Sequence, residues 1–556
     1  MTTGESRSRL PLLPYPRRVD LASEGTVKAE GPERLVTEPG LAPEGYRISI
    51  DPVDGVSIAA RDERGFFYGR TTLDQLRSVF GAEDGRLPAG TIEDSPDLAV
   101  RGVMLDVSRT KVPTLETLLD LVDRLASWKI NHIQLYMEHT FAYADHEEVW
   151  AGADPYTAQD MARLREHCAG RQVELVPNQN TLGHMERWLI HERYAPLGIE
   201  RGVVTSPFGM KMPASTLDPT NPGSLPLVRG LLEELSGVVP GTRFHVGLDE
   251  PWQLSAERRT EWSQWVSSLR ACRELDGREM LVWGDFLATH PELLAALPDS
   301  VTVCEWGYES NHPFSQRAEN LAGAGLAFWT CPGTSSWMSV LGRATNAVDN
   351  CRSAAVSALG AGASGLLVTD WGDFGHLQHL PVSDHGLAAC AAFSWCMEAN
   401  RGLDAAAIGD LLSLHSFGDG SLRMGEALSV LGDVYTMLPE VPNMSGLVAS
   451  IYLPQIPVGE ALTPGVTVSD FEAIEAKLDD AQEATAAATP TSLHGRLAAP
   501  ELENSIRLAL LACHDAIERL RSGSAGRLED IAPRARAELA GTLGDITTEH
   551  RSLWLR

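Results

Sequence analysis

The sequence predicts an α/β protein: a (β/α)8 TIM barrel over residues 97–400, a small α/β domain before it (1–96) and an α-helical region after it (401–556). Three observations carry this. At 556 residues the chain exceeds what one domain ordinarily holds. Eight short β-rich runs alternate with helix-like segments along its middle. Those runs are apolar almost throughout, the mark of parallel strands covered on both faces.

The elements follow in order. YRISIDPVDGVSIAA (46–60) holds two alternating runs around the turn-like DPVDG, and GFFYGRTTLDQLRSVF (65–80) continues at helical spacing. The eight runs are VRGVMLDV (100–107), NHIQLYM (131–137), QVELVP (172–177), RFHVGL (243–248), EMLVWG (279–284), VTVCEW (301–306), LAFWTC (326–331) and GLLVTD (365–370). TLETLLDLVDRLASW precedes the second run and TAQDMARLREHCAGR the third, both with helical apolar spacing. No Gly-rich phosphate loop follows the first run, which favours a closed barrel over a doubly wound sheet. Downstream, DFEAIEAKLDDAQEATAAA (470–488) and ENSIRLALLACHDAIERLRSG (503–523) read as helices, with LHGRLAAPEL (493–502) as a connector. This region carries no evident chemistry and is a candidate helical bundle or homodimerisation arm.

Acidic residues outnumber basic ones 75 to 46, for a formal charge of −29. That field repels phosphate backbones and anionic bilayers, so neither nucleic acid nor membrane is an expected partner. No apolar stretch is long enough for a signal-peptide core or a membrane span, and the eight cysteines form no CxxC pair or zinc-type cluster. A reduced, cytoplasmic protein without cofactor or metal is expected.

A barrel places its active site at the C-terminal ends of its strands. Those ends offer Asp106 and Arg109; Glu138 and His139; Asn178, Asn180 and His184; Asp249 and Glu250; Trp283 and Asp285; Glu305 and Trp306; Ser335 to Trp337; and Asp370, Trp371 and Asp373. Indoles beside carboxylates suit a sugar, whose C–H faces stack on rings while its hydroxyls bond to acids. The fourth run ends in FHVGLDEPW (244–252), with two adjacent carboxylates. Taken alone, a helix N-cap followed by a first-turn acid explains that pair equally well.

With the barrel in place, the chain resembles glycoside hydrolase family 20, the β-N-acetylhexosaminidases. RGVMLDVSR (101–109) is similar to that family's first strand, HVGLDE (245–250) to its H-x-G-x-D-E signature, and Gly183-His184 to its third-strand motif. The resemblance spans about residues 45 to 400. It implies an exo-acting hydrolase that removes terminal β-linked N-acetylhexosamine from a saccharide or glycoconjugate by substrate-assisted retaining catalysis. Glu250 would be the general acid. Asp249 would hold the substrate's 2-acetamido group, whose carbonyl attacks the anomeric carbon to form an oxazolinium. Arg101 would bind hydroxyls of the terminal sugar, Trp283 and Trp371 would wall the acetamido pocket, and Asp373 would read a hydroxyl. Glu138, His184, Glu305, Trp306 and Trp337 complete the candidate substrate-binding set.

One physical argument stands beside the resemblance. Retaining glycosidases ordinarily need a second carboxylate about 5 Å from the acid, across the scissile bond. It commonly arrives on strand seven, which here ends in FWTCPGTSSW without one, and Asp249 is too close in sequence to Glu250 to serve. Departures from the family are also visible. Glu138-His139 replaces an Asp pair, Asn180 an acid, Trp337 a Tyr that supports the acetamido oxygen, and Ser339 a sugar-binding acid. Two alternatives stay open: a barrel glycosidase using Glu305 or Asp370 as nucleophile on a non-acetamido sugar, and a non-catalytic sugar-binding protein derived from the enzyme. His132, His139 and His184 could imitate a metal cluster, but neutral imidazoles bonded to carboxylates suit a polar barrel mouth better.

Overall fold

The computed structural model describes residues 10–81, 85–448, 458, 465–523 and 533–554. In the first domain β1 (Arg18–Lys28), β2 (Arg34–Thr37), β3 (Tyr46–Asp51), β4 (Gly55–Ala60) and β5 (Arg86–Asp94) form one sheet in the order β1-β5-β3-β4-β2. The turn read in DPVDG joins β3 to β4 as an antiparallel hairpin, and the helix Glu63–Gly81 packs on the sheet.

The eight expected runs all become strands of one closed parallel barrel. They are β6 (Val100–Asp106), β7 (His132–Met137) and β8 (Glu174–Gln179); then, after a small hairpin of β9 (Val203–Thr205) and β10 (Lys211–Pro213), β11 (Arg243–His245), β12 (Glu279–Trp283), β13 (Val301–Trp306), β14 (Ala327–Cys331) and β15 (Gly365–Asp370). β15 pairs with β6 and closes the ring. The helices Leu115–Ser127 and Ala158–Gly170 start where expected. Thr114 caps the first, and a Thr157/Asp160 capping box the second.

Along each strand the side chains alternate between the barrel interior and the helix layer. Val100, Met104, Tyr136, Val176, Leu281, Trp283, Cys304, Trp329 and Leu367 cluster inside. Val103, Leu105, Ile133, Leu135, Val282, Val301, Val303, Leu366 and Val368 belong to the large outer core shared with the helices. This phase decides which strand-end residues can meet a ligand.

The small domain sits against the N-terminal end of the barrel through buried ion pairs. Arg101 donates to Glu44 Oε2 (2.7 Å), to the Tyr68 hydroxyl and to the carbonyls of Lys129 and Leu98. Lys129 pairs with Asp94 at 3.0 Å, and Trp395, from the last barrel helix (Asp384–Trp395), donates its indole N–H to the same carboxylate. On the far side, His494 bonds Asp384 and Asn504 bonds His379, so the C-terminal helices lie against the final barrel unit. LHGRLAAPEL is not a connector: it forms the first turns of the helix Leu493–Ser522, with Pro500 inside. Among the described residues no helix is long and apolar enough to cross a membrane.

Candidate active site

The site is built around the early end of β11, which leaves the sheet after three residues. Gly247, Leu248 and Glu250 have φ values of +73°, +79° and +46°, so the backbone turns sharply through the acid pair. Side chains rarely adopt this region, and the strain costs on the order of 1–3 kcal/mol per non-glycine residue. Neighbouring groups hold the turn. His245 Nδ1 accepts the Gly247 N–H, Trp283 N–H donates to the Gly247 carbonyl, and Asp285 Oδ2 accepts the Glu250 N–H at 3.0 Å. A Cβ at Gly247 would collide with Asn180, and one at Gly183 with the Asp249 carbonyl. The two glycines therefore let the third-strand loop pass against the acid turn, which carries His184 to the dyad.

His184 Nε2 lies 3.3 Å from Asp249 Oδ2 and 3.3 Å from Glu250 Oε2. Burial opposes charging of the imidazole, but the two carboxylates prevail and raise its pKa well above the ordinary value. In return, burial opposes the ionisation of Asp249, but His184 and Arg109 together outweigh it and lower its pKa. The acids differ in access: the side chain of Asp249 is 8% exposed and that of Glu250 31%. Desolvation, with the nearby charge of Asp249 behind it, pushes the half-buried Asp285 up to about 7.

Arg109 is the second organiser. It reaches Asp106 at 2.7 Å, Glu138 at 3.2 Å and Asp373 at 3.8 Å, and its guanidinium lies over the rings of Tyr136 and Trp371. Burial, only partly offset by Arg109, raises the Glu138 carboxyl to about 8. Beside this lies an aromatic box. Trp283 and Trp371 stand 5.9 Å apart at 52°, Tyr136 meets Trp371 edge-on, and the Trp371 indole donates to the Tyr308 hydroxyl at 2.7 Å. Trp306 stacks on Tyr308 and donates to Asp285, while Trp337 packs edge-on behind Tyr308. Several buried polar atoms here have no hydrogen-bond partner among the described residues: Asp249 Oδ1, Asn180 Oδ1, and the indole nitrogens of Trp283 and Trp337. Unmet polar groups beside apolar ring faces suit a ligand with both characters, such as a sugar amide.

Glu138, His184 and Glu186 offer ligand atoms within 4.8 Å of one another. Glu138 is committed to Arg109 and His184 to the acid pair, so a cation would have to displace both contacts.

The glycosyl hydrolase family 20 catalytic-domain profile matches residues 99–358, and its domain 2 profile matches residues 12–95. The chain belongs to glycosyl hydrolase family 20. It is 25% identical over 272 residues to a β-hexosaminidase of Akkermansia muciniphila, covering 44% of this chain and 53% of that protein. It is 24% identical over 271 residues to a β-N-acetylhexosaminidase of Cellulomonas fimi, covering 46% and 53%. The chain thus spans about half the length of these curated relatives. A family 20 exo-β-N-acetylglucosaminidase from Vibrio harveyi, solved with N-acetylglucosamine, shares the fold at a TM-score of 0.59 and 15% identity, covering 75% of this chain and 78% of that one.

For this family 20 chain the structure brings together most of the expected residues: Asp249, Glu250, Glu138, His184, Trp283, Trp306, Trp337, Trp371 and Asp373 lie at one end of the barrel. Two do not belong there. Arg101 starts β6 at the opposite end, is fully buried, and serves the seam with the small domain; Arg109, eight residues on, occupies the rim. Glu305 shares the outward phase of Val301 and Val303, and its carboxylate faces His312 (3.5 Å) and Arg317 (3.9 Å) in the helix layer. Asp370 likewise points outward, accepting hydroxyls from Thr334, Ser336 and Ser383. His132, His139 and His184 do not converge as a metal cluster among the described residues. Ser339 is absorbed in a turn, bonding Ser336 and Gly342. Arg109 and Asp285 were visible as strand-end residues without an assigned role. Tyr136 and Tyr308 went unassigned, although NHIQLYM and EWGYE carry them at the ends of the second and sixth strands.

Proposed function

We propose that this chain is an exo-acting β-N-acetylhexosaminidase that works by substrate-assisted retention. The observation that carries the reading is the side-by-side placement of Asp249 and Glu250 on one imidazole, while the rival carboxylates Glu305 and Asp370 face away from the barrel interior. A protein nucleophile would have to stand across the scissile bond from the acid. Glu138 and Asp373 share Arg109, and a Glu138 carboxyl raised to about 8 holds its proton at neutral pH and is a poor nucleophile.

In this reading a terminal N-acetylhexosamine enters with its acetamido group in the Trp283/Trp371 box. Asp249, held ionised, accepts the amide N–H and turns the carbonyl oxygen toward the anomeric carbon, offsetting the positive charge that develops there. Glu250, the more exposed acid, protonates the departing oxygen, and water then opens the oxazolinium with Glu250 as base. The Tyr308 hydroxyl, beside the Trp371 indole, is placed to support the acetamido oxygen, and Arg109 with Asp373 to bind ring hydroxyls.

Aryl N-acetylhexosaminides with mono-, di- and trifluorinated acetyl groups provide the test. The rate should fall steeply along the series, because fluorine weakens the carbonyl as a nucleophile. A flat series, or a covalent glycosyl adduct on a carboxylate of the chain, would sink the mechanism. Asp249→Asn should cost about 3 kcal/mol of transition-state stabilisation, as for loss of one preorganised electrostatic partner.

A further inference from the structure

Beyond the dyad, an aromatic pair leads from the acid to the protein surface. Trp252 lies two residues after Glu250, and its backbone N–H donates to the Glu250 carbonyl at 2.7 Å. Its half-buried indole meets the His184 ring at 5.8 Å and 63°. The Phe208 ring stands 5.9 Å from that indole, at 90°. Phe208 is 70% exposed, at the tip of the β9–β10 hairpin, and Val203 and Met210 of the same hairpin are also exposed.

The tip is firmly built. Ser206 N–H donates to the Met210 carbonyl, Gly209 N–H to the Ser206 carbonyl, and Met210 N–H to Ser206 Oγ. After β10 the chain is anchored at the site. Met185 N–H donates to the Ser215 carbonyl, and Ser215 N–H and hydroxyl both donate to the Gln253 side chain. The hairpin is thus fixed to the residues directly after His184 and Trp252. A lone exposed phenylalanine needs no explanation. One held by a closed turn against an indole that touches the dyad histidine does.

The general acid must face the leaving oxygen, so the leaving group lies beside Glu250; Trp252 follows two residues later, and its indole meets the same His184 ring that holds the acid. We propose that Trp252 and Phe208 form the platform for the leaving-group sugar. Its apolar C–H face would lie on the indole, walled by Phe208, with its hydroxyls in water. The substrate class is then a β-linked disaccharide or longer saccharide whose second residue is a pyranose, in preference to glycosides of small aglycones. This rests on Glu250 being the acid of a β-N-acetylhexosaminidase.

The experiment compares a β-linked N-acetylglucosamine disaccharide with methyl β-N-acetylglucosaminide, and adds a thiazoline inhibitor that fills only the terminal-sugar pocket. Trp252→Ala should lower kcat/KM on the disaccharide about tenfold, the scale of one lost apolar contact. The methyl glycoside and thiazoline inhibition should lose clearly less than the disaccharide rate, although the indole also meets the His184 ring. Trp252→Phe should restore most of the loss. Phe208→Ser, at an exposed site where folding is not at risk, should give a smaller loss of the same selectivity. Equal losses on both glycosides, thiazoline binding weakened as much as the disaccharide rate, or an unchanged disaccharide rate would overturn the platform and leave the reaction assignment standing. A wild-type protein that neither cleaves the two glycosides nor binds thiazoline would overturn both.

Discussion

Arg101 and Arg109 begin and end the stretch RGVMLDVSR, yet their surroundings differ in kind. At the N-terminal end of the barrel, Arg101 spends its donors on Glu44, Tyr68, Lys129 and Leu98 and has no exposed surface. Arg109 also sits between carboxylates and aromatic rings, but it is 20% exposed and its Nε is 3.8 Å from Asp373, beyond hydrogen-bond range. Around it lie the orphaned atoms of Asp249, Asn180 and Trp283, whereas none of Arg101, Glu44, Tyr68, Lys129 or Asp94 carries such an atom. The same residue types build a finished joint at one end and an unfinished, ligand-seeking surface at the other. Saturation of hydrogen bonds separates the two, not composition.

The largest expected effect breaks the joint. Arg101→Met leaves Glu44 with only the more exposed Arg64 as ionic partner and strips the Tyr68 hydroxyl and two buried carbonyls of their donor. It should destabilise the fold by about 3–5 kcal/mol, read by chemical denaturation. Activity per folded molecule should stay near wild type; a loss of turnover without a loss of stability would place Arg101 in the chemistry after all. Arg109→Met should do the reverse. A fall in kcat/KM of about 10²–10³ is expected for a lost preorganised charge in the site. Its stability cost should be smaller than at Arg101, because Glu138, already raised to about 8, can keep its proton, and Asp106 still accepts the Ser108 and Gly372 N–H groups. Equal stability losses at both ends would dissolve the distinction.

The third effect concerns pH. Burial beside Asp249 raises Asp285 from 3.8 to about 7. Between these values the folded protein retains a proton that the unfolded chain releases. Rising pH therefore favours unfolding through this group from about pH 4 to 7, and no further above 7. Asp285→Asn should flatten that part of the stability profile measured by thermal melts. An unchanged slope would mean that Asp285 is ionised in the native state, held by the Glu250 N–H and the Trp306 indole.

Much of this architecture was legible in the chain. All eight barrel strands lie where apolar runs alternate with helices, and the acid pair stands at the end of the fourth. The errors at Arg101 and Glu305 differ in cause: Arg101, taken from the resemblance, stands at the start of its strand and so at the wrong end of the barrel, whereas Glu305 is a matter of phase. In a parallel barrel both faces of a strand are buried, so hydrophobicity does not reveal which residues point inward. Counting in twos from Cys304 would have turned Glu305 outward, but which residues of that strand faced the interior was known only once the ring had closed. Tyr308 escaped for another reason. It lies two residues beyond its strand, where backbone direction depends on contacts such as Asn346 to the Tyr308 carbonyl. The connector assigned to 493–502 failed because Pro500 and Gly495 outweighed the helical spacing around them, and packing against Asp384 and Phe417 decides otherwise.

Trp395 and Cys396 complete the core of the small domain, beside Tyr46, Ile48, Tyr68 and Leu76. The ribosome makes those strands long before it makes this tryptophan. At roughly 5–20 residues per second the sheet must wait on the order of tens of seconds for the residue that seals it. During synthesis the small domain thus emerges well before its core can be completed. A ribosome-bound chain stalled before residue 395 should be cut by protease within residues 46–94, while one extended past the final barrel helix should resist.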